Sequence, residues 1–78
     1  MKLPRDVDGK DLVKGLEKLD YVRSRQKGSH VYLVSSDGKH HIAVPLHSPL
    51  KLGTLSSILA DVAAHLNIDK EELLGRLF

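Results

Sequence analysis

Seventy-eight residues, 41% of them hydrophobic and 28% charged, describe one small globular domain spanning 1–78 and exclude disordered or collagen-like chains. Without cysteine there are no disulfides, thiolate metal sites or cysteine nucleophiles, and no apolar run nears the ~20 residues of a membrane span. The net charge of +2 hides a division, because residues 21–53 carry Arg23, Arg25, Lys27, Lys39 and Lys51 against Asp37 alone.

Leu12, Val13, Leu16 and Leu19 lie on one helical face, so a helix is expected over Asp8–Leu19, with Asp8 as N-cap. Three short strands follow, at Tyr21–Arg25, His30–Val34 and His40–Val44. Lys27-Gly28 turns the chain between the first two, and Ser36-Asp37-Gly38-Lys39 between the last two. Pro45 ends the third strand because it cannot donate to a ladder. A second helix carries Leu55, Ile58, Leu59, Val62, Ala63 and Leu66 on one face, with Thr54 as N-cap and Asn67 closing it. Asp69 and Glu72 then open a short last helix bearing Leu73, Leu74 and Leu77. The expected fold is α+β: an α-β-β-β-α order, a three-stranded antiparallel sheet with helices on one face, and a short C-terminal helix.

A two-residue turn at Asp37-Gly38 pairs Leu33 with Ile42 and Val31 with Val44, making one apolar sheet face. The opposite face then holds His30, Tyr32 and Val34 with His41, Ala43 and Pro45. The same logic across Lys27-Gly28 sets Arg25 beside His30, Arg23 beside Tyr32, and Val22 opposite Leu33 on the buried side. Guanidiniums hold phosphates, a tyrosine ring stacks on a base, and imidazole moves protons near neutral pH. A positive, histidine-rich segment of this kind suits a polyanion, although a solvated sheet face explains the charge alone slightly better.

Metal binding is not expected, since His40 and His41 are neighbours on a strand and point to opposite faces, with no carboxylate cluster near them. A hydrolase triad is equally poor, because Ser29 and His30 diverge on a strand. The Gly28-Ser29-His30 step is more suggestive. Glycine lets a phosphate approach the backbone, the serine hydroxyl can donate to it, and His30 can take or give a proton beside Arg23, Arg25 or Lys27. On spacing alone, an exposed strand histidine after a turn is the commoner explanation. His47 follows Pro45 and either reaches the site or caps a loop, the loop being the better reading. His65, near a helix end, suits the dipole there.

Arg25-Gln26-Lys27-Gly28-Ser29-His30, then Val44-Pro45-Leu46-His47, then Gly53-Thr54-Leu55 leading to Ile58-Leu59, resembles the HicA toxins in motif, order and spacing over most of the chain. The resemblance implies a double-stranded-RNA-binding-like fold and a metal-independent mRNA interferase, without cofactor, that blocks translation. It also implies a HicB antitoxin as partner, and it maps the histidine of the family's Gly-Ser-His motif onto His30. The expected site is therefore His30 as acid/base, with Arg23, Arg25, Lys27, Gly28, Ser29 and Tyr32 on the RNA and His41 or His47 as auxiliaries. The opening Met1-Lys2-Leu3-Pro4-Arg5-Asp6 lacks a leader-like apolar stretch, so a cytoplasmic protein is expected.

Two other readings stand beside this one. A non-catalytic double-stranded-RNA-binding module has the same element order, but such modules usually carry a lysine-rich start to the second helix, where this chain has Leu55-Ser56-Ser57-Ile58. A pure protein-interaction domain would show no salt-sensitive RNA binding.

Overall fold

The computed structural model describes residues 3–78; Met1 and Lys2, the start of the stretch read for a leader, lie outside it. The elements are α1 (Gly9–Lys18), β1 (Val22–Lys27), β2 (His30–Val34), β3 (His41–Pro45), α2 (Leu52–Leu66) and α3 (Lys70–Leu77). The strands form one antiparallel sheet in the order β1-β2-β3. This is the expected α-β-β-β-α fold with its extra helix.

Each helix is held at its ends by a different device. Asp8 stands at the N-cap of α1, but its carboxylate accepts from the Ser48 hydroxyl at 2.7 Å instead of from a helix amide. Beside it the Gly9 amide donates to the His47 carbonyl at 2.9 Å, and a Cβ on Gly9 would stand 2.8 Å from Leu46 Cα and collide with the Pro45 carbonyl. Only glycine lets α1 sit this close to the end of β3. Helix α2 begins at Leu52, ahead of the expected Thr54 cap, and Lys51 at its N-cap makes no side-chain capping bond. The reason is tertiary: Leu50 is buried and its amide donates to the Val7 carbonyl at 2.7 Å, so the chain is already fixed where the helix starts. Asn67 closes α2 in the left-handed conformation. Asp69 caps α3 as expected, its carboxylate accepting from the Glu72 amide at 2.7 Å.

The β2–β3 register is the expected one, with Leu33 opposite Ile42 and Val31 opposite Val44. These four side chains are buried with Leu12, Leu16, Leu55, Leu59 and Leu73 in the core between sheet and helices. The β1–β2 register differs from expectation. The two-residue turn is Gly28-Ser29, flanked by the pair Lys27–His30, with Gly28 at φ +58° in the first central position, where type II′ turns place glycine. Arg25 therefore faces Tyr32 and not His30. A bulge at Ser24 then shifts the strand once more, so that Arg23 faces Leu33 and Val22 faces Val34. Val22 is 59% exposed, contrary to the buried position expected for it. The whole of β1 is exposed, because the helical layer covers β2 and β3 and stops short of the first strand. Tyr21, expected as the start of that strand, is instead a buried core residue just before it.

Candidate functional site

The sheet face away from the helices belongs to alternate residues of three strands, and none of those strands contains an acid. In the row nearest the Gly28-Ser29 turn, Lys27, His30 and Pro45 lie side by side. The next row is Arg25, Tyr32 and Ala43, and beyond it Val34 pairs with His41. His30 and His41 are exposed and Tyr32 is half-buried. The Arg25 guanidinium lies over the Tyr32 ring, 4.6 Å from its centroid, a cation–π contact that keeps both in place. The Ser24 hydroxyl donates to the Tyr32 carbonyl at 3.2 Å and fixes the bulge that turns Arg25 onto this ring.

The turn itself is braced from two sides. Gln26 donates through its side-chain amide to the Gly28 carbonyl at 3.2 Å, and the Leu46 amide donates to the Ser29 carbonyl at 2.6 Å. The Pro45-Leu46-His47 segment thus runs beside Gly28-Ser29-His30. His47 is exposed and lines a separate hollow of about 210 Å³ with Asp8, Gly9, Lys10, Leu46 and Ser48. Its neighbours place it at the start of α1, away from the row of Tyr32 and Ala43.

Arg23 does not join the other bases. Facing Leu33, it projects toward the helical side, where its guanidinium meets Glu17 of α1 at 3.4 Å. The expected Arg23–Tyr32 neighbourhood is replaced by Arg25–Tyr32, the direct result of the turn position and the bulge. His40 and His41 do point to opposite faces, as neighbours on an extended chain must.

His40 leads to a side-chain cluster that hydrophobic periodicity does not reveal. The Tyr21 hydroxyl and His40 Nδ1 share a hydrogen bond at 2.6 Å, and the His40 ring stacks on His65 of α2 with centroids 4.8 Å apart. His65 faces Asp37 in the β2–β3 turn at 3.4 Å. The Ser35 hydroxyl and the Lys39 amide hold the Asp37 carboxyl below its ordinary range. Burial, then the neighbouring Asp37, pushes the Tyr21 phenol up to about 12. Burial and the adjacent His65 lower His40. The hydrogen bond and the ring stack make the cluster a structural clasp between α2 and the sheet. A second missed feature lies at the start of α3, where the Lys70 ammonium donates to the Ser56 hydroxyl at 3.1 Å. It brings to α2 a positive charge that the sequence around Ser56 and Ser57 lacks.

Among the described residues no three His, Asp or Glu side chains are grouped as a metal-binding set, and no helix is long and apolar enough to cross a membrane. An α-β-β-β-α chain with an open, acid-free, basic sheet face has the double-stranded-RNA-binding-like architecture. Residues 9–63, from the first residue of α1 into α2, match the family described as HicA toxin of bacterial toxin-antitoxin. The chain belongs to that family: it is a HicA-type toxin of a toxin–antitoxin system, and its counterpart is an antitoxin. Nothing among curated proteins or solved structures matches it.

Proposed function

We propose that this toxin is an endoribonuclease that cuts mRNA on the open sheet face and so blocks translation, with His30 moving the protons. The observation that carries the reading is the position of His30. It stands exposed directly across from Lys27, one row from Arg25 and Tyr32, on a face whose strands hold no carboxylate. In RNA cleavage by the ribose 2′-hydroxyl, a base removes the 2′ proton and O2′ bonds to phosphorus. The P–O5′ bond breaks, and O5′ leaves with a proton from an acid. A histidine near neutral pH serves either transfer. Lys27 and Arg25 supply positive charge for the phosphate, and the Gly28-Ser29 turn gives a backbone approach without a side chain in the way. No step in this scheme needs a metal or a cofactor.

The same reading makes residues 1–78 one catalytic domain, places it in the cytoplasm with its mRNA, and gives it a HicB-type antitoxin that covers this face. The test is incubation of a long single-stranded RNA with the purified protein in EDTA. Fragments ending in 2′,3′-cyclic phosphate and 5′-hydroxyl are expected. Cleavage that appears only on adding a divalent ion, or binding without any cleavage, would turn the reading toward a metal nuclease or a passive RNA-binding module.

A further inference from the structure

A trough of about 390 Å³ crosses the open face beside the His30 row, lined by Ser24, Arg25, Tyr32, His41 and Ala43. Leu33 and Ile42 also line it, but their side chains are buried in the core, so they contribute the main chain as a floor. We propose that this trough seats one unpaired nucleobase between the rings of Tyr32 and His41. The inference rests on the ribonuclease reading and adds the state of the substrate at that point: single-stranded, with a base turned down onto the sheet.

The register supplies the spacing. Tyr32 is directly opposite Ala43, and His41 is two residues along the same strand from Ala43. Such diagonal neighbours on one face stand about 7–8 Å apart. A planar ring held between two others needs about 7 Å, two contacts of about 3.5 Å each. Ala43 offers only a methyl group and is exposed, so the gap is not filled by the protein. Arg25 lies over one face of the Tyr32 ring, and across the strand pair Tyr32 has only the Ala43 methyl group beside it. Its charge also stands where the backbone of the seated nucleotide passes.

Two residues along a strand span about 7 Å, so the seated base belongs to a nucleotide next to the one at His30. A base within a duplex has both faces covered by its neighbours and cannot enter. The trough thus selects locally unpaired RNA and is where a preference for the flanking base would arise.

The experiment uses the full chain carrying His30→Ala, which on the ribonuclease reading is expected to bind without cutting. The probes are a short RNA lacking self-complementarity and the same RNA annealed to its complement. In this background Ala43→Leu fills the trough and Tyr32→Leu removes one ring; both positions lie on the open face, and thermal melting checks that each variant is folded. Each change is expected to weaken binding of the single strand roughly 5- to 150-fold, the range for loss of one stacked base. The duplex is expected to bind more weakly than the single strand before any trough substitution. Single-strand affinity unchanged in a folded Ala43→Leu or Tyr32→Leu protein overturns the proposal, as does a duplex that binds as tightly as the single strand. If the protein before trough substitution binds neither probe, the ribonuclease reading has failed first and the trough falls with it.

Discussion

Arg23 and Arg25 are two residues apart, yet their surroundings differ in kind. Arg25 lies over Tyr32 on the open face, while Arg23 is turned to Glu17 of α1. RNA bound on the open face should therefore distinguish them. Arg25→Ala is expected to weaken binding about tenfold and to reduce the slope of log K against log salt by about one, the signature of one lost phosphate contact. Arg23→Ala should change affinity about twofold or less, since its guanidinium is turned to Glu17 on the helical side and its exposed ion pair contributes to folding and not to RNA contact. Equal losses for the two, measured by salt titration, would contradict this division. His40 gives a second contrast, because burial and His65 lower its pKa in the folded protein below the ordinary value of 6.5. The unfolded chain then binds more protons than the folded one as pH falls through about 6.5, so stability drops as acid is added and is full above that value. Asp37 and Asp61 oppose this shift, and His41 adds to it. Denaturant melts of wild type and His40→Gln between pH 7.5 and 5.5 should show the steeper decline in wild type; parallel curves would remove His40 from the effect.

Among the elements, β2, β3 and the apolar faces of all three helices were legible because each has a strict period and a large buried payload. Val31, Leu33, Ile42 and Val44 can face only the core, and that fixes the β2–β3 pairing. Strand β1 has no such constraint. It is exposed along its length, so neither turn position nor bulge is imposed by burial, and sequence pattern misplaces Arg23, Arg25 and Val22. The open-face group of His30, Tyr32 and His41 was legible through β2 and β3; the partner of Tyr32 was not. Ala43 was visible opposite Tyr32 in the register, but a small residue signals a gap only once its neighbours are in place. The Tyr21–His40–His65 cluster joins elements far apart in the chain, and no local pattern announces it. Gly9 shows the same dependence on tertiary contact, since its role is set by Pro45 and Leu46. Gly9→Ala should force α1 away from the end of β3 and cost about 1–3 kcal/mol, as overpacking does. In a domain of this size that lowers Tm by on the order of 10 °C. An unchanged Tm would mean that α1 can shift without loss.

The molecule as a whole is polarised. Its shortest dimension is 17 Å, room for the sheet and one layer of helices, so nothing in the described chain folds back over the open face. The strands carry bases and no acids, whereas Asp61, Asp69, Glu71 and Glu72 all lie in the second half of α2 or around α3. With Lys70 and Arg76 against these four acids that end of the chain sums to −2, so positive charge is concentrated toward the sheet although the net charge is only +2. A partner able to silence the toxin by covering the sheet would meet the same positive surface, which favours an acidic contact face on the antitoxin. On the proposed reading the chemistry falls to His30, the open-face imidazole directly opposite Lys27. The most direct test is single-turnover cleavage of a long RNA by wild type and by His30→Ala at saturating protein, with RNA binding of both measured in parallel. A loss of about 10²–10⁴-fold in the cleavage rate with binding retained is the predicted result, matching removal of one acid/base group. A folded His30→Ala protein that cuts as fast as wild type would contradict it and move the reaction away from the Gly28-Ser29-His30 turn.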